Sequence, residues 1–447
     1  VEGKESAGIF TKNTDAVSRD IINSGTIELI GGAGLMQSAG MYAEIGGSAT
    51  GVTTLENKKS ILVGQEKSAG IYIKNSADIS KGIAKNTGHP NGVIDLNAGE
   101  TVGILVDNAT GINESVINVN KGSSAGMFGN NGSEITNKKN INVSHENSAG
   151  MYTVNSNATN TVNGVITITG STGAATGSAG MFGKLSGATG YKTLNEGIIN
   201  LNSVTKNVGI YGEVDAGATG VLTLENNNKI NINSGSTSSV GIIAENNSGS
   251  AGNLLVNNTA NGIITGDEAS SIGILAGKSE VTNAGKILMN KDGSVGIYGK
   301  NESKVENSKL IEISGNKSAG IFLENSDAFN LTGGQINVKG GVSTGSETSA
   351  GIYGTFTSGA HTIKNEGTVT IENIAGKDGS AGIYGNLTGG TLNIINDSIV
   401  NANMNKSIGI YAKNTQSVNN LTVTNNGQIG LNNTGTTGIF ADKSKVT

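Results

Sequence analysis

A five-residue motif repeats along the whole chain, and this repetition limits the folds that the chain can adopt. The motif reads Ser-Ala-Gly, then Ile or Met, then Tyr or Phe, as at residues 6–10 and 318–322. With looser copies such as residues 101–105, it occurs sixteen times at a mean spacing of about 29 residues. Its glycine is called the marker glycine below and stands at Gly8, Gly40, Gly70, Gly103, Gly126, Gly150, Gly180, Gly209, Gly241, Gly273, Gly296, Gly320, Gly351, Gly382, Gly409 and Gly438. A period of roughly 20–50 residues indicates a solenoid of stacked repeats.

An asparagine stands at a regular place inside many repeats. It belongs to the pattern V-x-N-x-[GKS]-x-[IV]-x-[IVL], as at residues 135–143 and 281–289. Seven of these asparagines stand at one constant distance before the next marker glycine. They are Asn57, Asn113, Asn137, Asn283, Asn307, Asn396 and Asn425. The interval from a marker glycine to the following asparagine instead varies, and it is short from Gly103 to Asn113 but longer in other repeats. The sequence therefore predicts that most insertions fall between the marker glycine and the asparagine.

Each repeat contains two or three short runs in which apolar and polar residues alternate. Alternation over about four to six residues indicates strands, and no segment has a sustained helical period. Glycine accounts for 70 of 447 residues and aromatic residues for 4%, which leaves few bulky side chains for a large globular core. We therefore predict an all-β fold, a right-handed parallel β-helix of about 15–16 coils with 23–33 residues per coil.

A longer period lies over the repeats. Gly103, Gly126 and Gly150 are followed at one constant spacing by the marker glycines Gly273, Gly296 and Gly320. This spacing predicts a six-coil block at approximately 8–179 that is duplicated at 180–350, with a third, partial copy at 351–447. Both chain ends align with the middle of a coil, so we expect residues 1–447 to be one continuous β-helix segment that is cut within a coil at each end.

The positions around the marker glycine differ in residue type. The next residue is Ile or Met in all sixteen copies, and the preceding residue is Ala, Val or Ile in all but Thr437. Because alternate residues of a strand face the same way, both positions are predicted to lie in the core. Two residues after the glycine, thirteen copies carry Tyr or Phe. These rings, together with the Ser or Thr two residues before the glycine, are predicted to face outward, with the rings stacked as a possible platform for a sugar or a protein.

Two further columns are predicted to stabilise the stack of coils. The asparagine column shares its parity with an inward Ile, and stacked amides can bond to each other and to the turn backbone. Four residues after the marker glycine, charges alternate between neighbouring coils, as in Lys12, Glu44, Lys74 and Asp107. Opposite charges at coil spacing are modestly stabilising and favour a single register.

No catalytic, cofactor or metal site is predicted, and we do not expect an enzyme. Glu213 and Glu245 occupy one column in neighbouring coils, but no third acid or basic partner joins them, which favours solvated like charges over acid–base chemistry. His89, His145 and His361 stand in unrelated contexts. The net charge is −5 with a single arginine, so nucleic acid is not an expected partner.

The longest insertions after a marker glycine fall at roughly 76–92 and 247–262. Surface loops on a rigid scaffold often carry binding residues. The residues proposed for binding from these segments are His89, Pro90, Asn91, Asn253, Asn257 and Asn258.

The Ser-Ala-Gly-Ile-Tyr marker, the V-x-N-x-G-x-I phrase and the absence of cysteine resemble the passenger repeats of very large type V autotransporter adhesins, most of all those of fusobacteria. The resemblance implies an exported β-helix that is displayed at the cell surface and anchored in the outer membrane through a barrel domain outside this chain. It also implies coaggregation with other bacteria through their surface components, and attachment to host cells through surface glycans or protein receptors.

The sequence thus favours a non-enzymatic bacterial surface adhesin that presents loops, an aromatic file or both. Two alternatives stay open. The same fold often hosts polysaccharide lyases and hydrolases, for which Glu213 and Glu245 are the residues to test. An inert stalk that only extends a distal binding tip is the other alternative.

Overall fold

A computed structural model of the chain describes residues 1, 3–31, 37–169, 177–202, 206–235, 238–341 and 349–447. Two single turns of 3₁₀ helix, Ile79–Lys81 and Ala251–Asn253, accompany the strands of these residues. No helix in the described ranges has the length and apolar character needed to cross a membrane. The chain divides into two compact units, the first formed by Val1–Leu224 and Asn228–Ile230 and the second by Glu225–Asn227 and Asn231–Thr447.

The first unit consists of stacked coils, and each coil contributes one strand to each of three parallel sheets. These sheets are called A, B and C in chain order. Its sheet A strands are Ala7–Asn13, Ala39–Ile45, Ala69–Asn75, Val102–Asp107, Ala125–Asn130, Ala149–Val154, Ala179–Leu185 and Val208–Val214. Its sheet B strands are Arg19–Asn23, Thr53–Asn57, Gly82–Asn86, Thr110–Asn113, Glu134–Asn137, Asn157–Asn160 and Tyr191–Asn195. Its sheet C strands are Thr26–Leu29, Ser60–Val63, Val93–Leu96, Val116–Val119, Asn140–Val143, Val165–Ile168 and Ile198–Leu201. Two more strands, Leu222–Asn226 of sheet B and Lys229–Ile232 of sheet C, contain residues of both units.

The second unit repeats this architecture. Its sheet A strands are Val240–Asn246, Ile272–Gly277, Val295–Lys300, Ala319–Glu324, Ser349–Phe356, Ser380–Leu387, Ile408–Asn414 and Thr437–Asp442. Its sheet B strands are Leu254–Asn258, Glu280–Asn283, Lys304–Asn307, Asp327–Asn330, Ala360–Asn365, Thr391–Asn396, Leu421–Asn425 and Lys445–Val446. Its sheet C strands are Ile263–Gly266, Lys286–Met289, Leu310–Ile313, Gln335–Val338, Thr368–Ile371, Ile399–Ala402 and Gln428–Leu431.

Equivalent residues of successive coils pair in parallel and in register. Ile9 pairs with Met41, and Met41 pairs with Ile71, so each column seen in the sequence is a physical column in the structure. Three strands per coil, each joined to its counterpart in the next coil, define a parallel β-helix, and the predicted fold class is confirmed.

The residue after the marker glycine is confirmed as core, and the residue before it is also buried in many coils, as at Ala125 with 6% exposure, but it faces the other side of sheet A. Met127 is fully buried, whereas Ala125 lines a cavity on the outer face of sheet A. The inward position next to Met127 belongs to Gly126 itself, since a Cβ there would lie 2.8 Å from Cγ2 of Ile141. Two consecutive inward residues interrupt the alternation of the strand, and the residue before the glycine therefore faces outward.

The asparagine column forms a buried ladder, as predicted. The amide Nδ2 of Asn113 donates to Oδ1 of Asn137 over 2.8 Å, and Asn137 donates in turn to Asn160 over 2.8 Å. Asn137 also donates to the carbonyl oxygen of Lys139 over 2.8 Å, which holds the turn that follows. Each rung therefore links two coils and closes one corner of its own coil.

The ladder extends beyond the asparagines that the sequence pattern identified. Asn86 and Asn160 are rungs, although each stands farther ahead of its next marker glycine than Asn57 stands ahead of Gly70. Insertions therefore lie on both sides of the ladder, with the larger share between the marker glycine and the asparagine, as predicted. Turns vary on both sides of the ladder, because a loop at a corner leaves the pairing of the strands unchanged.

Replacing a marker glycine by alanine should destabilise the protein. In Gly126→Ala, the new Cβ would lie 2.6 Å from the carbonyl oxygen of Gly150, so the two coils must separate locally. Overpacking of this kind costs about 1–3 kcal/mol, measured as a lower midpoint in chemical denaturation. Gly249→Ala is the control, since its Cβ would meet no atom within 4 Å. Equal midpoints for the two variants would contradict this account of the marker.

Removing one rung of the ladder should also lower the free energy of unfolding. Asn137→Ala removes the acceptor of one Asn113 amide N–H and the donor to Asn160 Oδ1 in a buried column. Each unpaired group costs about 1–3 kcal/mol. Asn142→Ala is the matched control, because its amide bonds to Asn118 over 2.8 Å on the exposed face. A loss in Asn142→Ala as large as that in Asn137→Ala would argue against the ladder as a main source of stability.

Candidate binding groove

The first segment proposed for binding, 76–92, is mostly regular structure. It contains the 3₁₀ turn Ile79–Lys81 and the sheet B strand Gly82–Asn86, which ends in a rung of the ladder. The irregular part is the turn at residues 87–92. His89, Pro90 and Asn91 lie at its exposed tip, so their side chains are accessible to a ligand. These three residues stay predictions for binding.

In the second segment, 247–262, two of the proposed residues lie at the surface and one lies in the interior. Asn253 ends the 3₁₀ turn and Asn257 lies on the sheet B strand, and both are partly exposed. Asn258 is 0% exposed. Its amide donates to Asn283 over 2.7 Å and accepts from Asn226 over 2.9 Å. The structure therefore corrects the proposal for Asn258, because a rung of the ladder has no surface to offer a ligand.

The aromatic file lies on the outer face of sheet A, as predicted. In the first unit, Phe182 and Tyr211 stack with ring centroids 4.7 Å apart and an interplanar angle of 19°. In the second unit, the centroids of Tyr353 and Tyr384 lie 4.6 Å apart at 7°, and those of Tyr384 and Tyr411 lie 4.7 Å apart at 2°. The spacing of the rings follows from the spacing of the coils, which is about 4.7–4.9 Å between neighbouring strands.

Stacking determines which part of each ring reaches the surface. Tyr384 has Tyr353 over one face and Tyr411 over the other, so only its edge and hydroxyl group are directed to solvent. A sugar that packs on an aromatic side chain needs a free ring face. Along this stack the file therefore does not provide the sugar-stacking platform that the sequence suggested.

A groove runs beside the file and offers a different surface. Its floor is the column of residues that precede the marker glycines, and one wall is the line of ring edges. In the first unit, cavities of ≈ 640 and ≈ 590 Å³ share Glu100 and Val102 and together are called the first groove. In the second unit, a cavity of ≈ 590 Å³ reaches from Val295 to Tyr411 and is called the second groove.

The opposite wall of each groove is formed by turns between sheets C and A. The residue three before the marker glycine has a left-handed backbone in several of these turns, with φ of 53° at Lys317 and 54° at Lys406. This conformation reverses the chain into sheet A. These left-handed residues stand at a constant distance before the marker glycine, which is a signal that the sequence contains. Their residue types vary from coil to coil, so the repeat pattern did not identify them.

A second buried ladder lies beneath these turns. The backbone N–H of Ser294 donates to Oγ of Ser318 over 3.1 Å, and that of Ser318 donates to Oγ of Ser349 over 3.2 Å. These serines stand two residues before the marker glycine and were expected on the outer face. They are buried instead, and the hydroxyls of Ser318 and Ser349 each accept a bond from the backbone of the neighbouring coil. The ladder holds the groove wall in register.

Charged side chains lie on the rims of both grooves. Glu5, Lys67 and Glu100 line the first groove, and the ammonium of Lys67 lies 3.6 Å from Glu100. Lys317 and Lys406 line the second groove, and the ammonium of Lys406 lies 2.9 Å from Asp378. The rim of each groove therefore carries an ion pair, Lys67 with Glu100 on the first and Lys406 with Asp378 on the second.

The acidic residues considered for catalysis occupy a different place. The register of Lys12 with Glu44 confirms the alternating charge column, with 3.4 Å between Nζ and Oε1. Farther along this column, Lys184 Nζ lies 2.9 Å from Glu213 and 2.9 Å from Asp215. The hydrogen bonds to these carboxylates raise the pKa of Lys184, so it remains a cation that binds Glu213. This contact makes Glu213 part of an ion-pair network.

The histidines lie apart from one another. His89 is exposed, Nδ1 of His145 lies 3.0 Å from Glu146, and His361 is 7% exposed with its ring 5.3 Å from that of Phe356. Among the residues that the structure describes, no three His, Cys, Asp or Glu side chains are grouped so that they could hold a metal ion.

The stacked tyrosines should make stability fall at alkaline pH. Burial raises the pKa of Tyr384 from 10.0 to about 12, with smaller effects of Tyr353 and Tyr411, and burial similarly raises the pKa of Tyr72 to about 12. The unfolded chain therefore loses these protons first, and stability present below pH 10 is lost as the pH rises toward about 12.

Denaturation midpoints across this pH range test that expectation. The double variant Tyr72→Phe/Tyr384→Phe is the control, and its midpoint should fall less steeply because two shifted phenols are absent. Phenolate absorbance of the folded protein provides a second measurement. Ionisation of every tyrosine near the ordinary pKa of about 10 would show that the stack does not shield the hydroxyls.

Comparisons with known proteins do not add residues to this surface. No protein-family model matches the chain, and neither a curated protein nor a solved structure matches it. The grooves, the exposed turn at residues 87–92 and the two ladders are therefore defined by the geometry of the chain itself.

Proposed function

We propose that this chain is a non-enzymatic adhesive segment of a bacterial surface protein, with the β-helix as the scaffold and the outer face of sheet A as the binding surface. The proposal keeps the cell-surface location and the autotransporter origin that the sequence resemblance implies. Host glycans, host protein receptors and surface components of other bacteria are the partners that it allows. The groove beside the aromatic file is the observation on which it depends.

Repetition is the property of this groove that suits adhesion. Along the second groove, successive coils such as those of Tyr353, Tyr384 and Tyr411 each offer a ring edge, an apolar floor residue and a turn in register with the coil before. A ligand that touches several coils gains from each contact once the first has formed, because later contacts are intramolecular. Weak contacts then add up to firm attachment.

The ion-pair network of Glu213 favours adhesion over the enzymatic alternative. A lyase or hydrolase needs a carboxylate that is directed at a substrate and is supported as an acid or a base. Glu213 instead binds Lys184, which also binds Asp215. The contacts of Glu213 are those of a stabilising surface ion pair.

Attachment of the purified full chain to host epithelial cells and to a panel of bacteria tests the proposal. We expect saturable attachment that falls at least tenfold when both grooves are filled by Ala125→Trp and Ala381→Trp, since both alanines line the grooves. Ala16→Trp is the control, because it places the same ring on an exposed turn. His89→Ala/Asn91→Ala tests the exposed turn at residues 87–92 separately.

Three results would contradict the proposal or restrict it. Absence of attachment to every cell type would favour an inert stalk. Release of shortened glycans that stops in Glu213→Gln or Glu245→Gln would favour an enzyme. Attachment that depends on the turn at residues 87–92 but not on the grooves would keep the adhesive function and move its site.

A further inference from the structure

We infer that Tyr353, Tyr384 and Tyr411 form a site of oxidative modification, at which a one-electron oxidant couples neighbouring rings through a carbon–carbon bond. The oxidant is hydrogen peroxide activated by a haem peroxidase, and the product is dityrosine, which links successive coils covalently. The inference does not depend on the proposed adhesive function. Four properties support it: which rings are neighbours, how they are oriented, how they reach solvent, and how other oxidisable side chains are placed.

Coupling of two phenols requires two tyrosines in contact, and the described part of the aromatic file contains three such contacts. Tyr42 lies beside Tyr72 in the first unit, and Tyr384 lies between Tyr353 and Tyr411 in the second. The second unit therefore contains three consecutive coils with a tyrosine at the same position. Its central ring has a partner on each face.

The orientation of the rings favours the second unit over the first. The centroids of Tyr353 and Tyr384 lie 4.6 Å apart at an interplanar angle of 7°, whereas those of Tyr42 and Tyr72 lie 5.0 Å apart at 23°. Parallel rings on paired positions of neighbouring strands are related by the step from one coil to the next, so their equivalent carbons face each other. Reactants that are held side by side react far faster than reactants that must meet by diffusion.

The reactive edge of each ring reaches solvent. Both faces of Tyr384 are covered by its neighbours, which leaves the edge with the hydroxyl group directed outward. Tyr353, Tyr384 and Tyr411 are all partly exposed and line the second groove. An oxidant can therefore remove an electron at the edge, where water accepts the proton of the hydroxyl group.

Other readily oxidised side chains are absent or buried. The sequence contains no cysteine and no tryptophan. Oxidation of methionine depends on access to its sulfur. Six of the seven methionines are 0% exposed, and the seventh, Met36, lies outside the described residues; the six are Met41, Met127, Met151, Met181, Met289 and Met404. Partly exposed tyrosines are therefore the main target that the described surface offers to a one-electron oxidant.

The reaction balances with one molecule of hydrogen peroxide for each cross-link. Each tyrosine loses one electron and its hydroxyl proton, which leaves a phenoxyl radical with unpaired spin on the carbon next to the hydroxyl-bearing carbon. Two such carbons form a bond, and each then releases its hydrogen as a proton while the phenol oxygens are protonated again. In total, two C–H bonds break, one C–C bond forms, and the two electrons and two protons reduce the peroxide to two molecules of water.

Treatment of the full chain with peroxidase and hydrogen peroxide, at low protein concentration, tests the inference. We expect dityrosine fluorescence in a monomeric product that has lost two hydrogen atoms per cross-link. Peptide mapping should find Tyr384 joined to Tyr353 or to Tyr411. Tyr384→Phe should remove every cross-link of the second unit and lower the total yield of dityrosine at least twofold.

Tyr152→Phe is the matched control. Tyr152 belongs to the same file but lies between Phe128 and Phe182, so it has no tyrosine beside it along sheet A. Its substitution should leave the yield of dityrosine unchanged. A loss as large as that in Tyr384→Phe would show that coupling is not directed by the stack, and it would overturn the inference.

Two further results would also contradict the inference. Dityrosine found only in covalent dimers of the chain would show that the rings couple between molecules. A yield in urea as high as that of the folded protein would show that the stacked geometry does not direct the reaction. Thermal midpoints of the untreated variants, measured in parallel, identify any loss of yield that comes from unfolding.

Discussion

The close approach of successive marker glycines is the contact on which the rest of this structure depends. A side chain at Gly126 would collide with the carbonyl oxygen of Gly150 and with Ile141, and equivalent contacts recur at other marker glycines. Glycine therefore allows sheet A to approach sheet C within a coil while staying paired to the next coil. Since that position faces inward along with its successor, the residue before it is turned out to form the floor of the grooves.

Two ladders of polar side chains hold this arrangement in register. Asn137 and its neighbours link one corner of the coils in a buried column, and the serines around Ser318 link another. Buried amides and hydroxyls are costly unless they are paired, so the ladders disfavour any slip of one coil against the next. Loops can then vary at the corners, as at residues 87–92, without disturbing the surface that the strands present.

Register also decides the chemistry of the outer face. When rings stack at the spacing of the coils, Tyr384 covers the faces of Tyr353 and Tyr411 and leaves their edges outward. The surface beside them then differs only through the turns that form the opposite wall. Lys67, which is paired with Glu100, lies on the rim of one groove, and Lys406, which is paired with Asp378, lies on the rim of the other.

The sequence by itself determined the parallel β-helix, the inward column represented by Met127, the asparagine ladder and the outward aromatic file. Each of these follows from the residue types that must repeat when identical coils stack. Only the tertiary structure decided that Ala125 is buried beneath the outer groove, that Ser318 is a buried rung of a second ladder, that Asn258 is a rung of the first, and that the rings present edges. These outcomes depend on the break in alternation at the marker glycine and on contacts between coils, and a period-two pattern read along one strand contains neither.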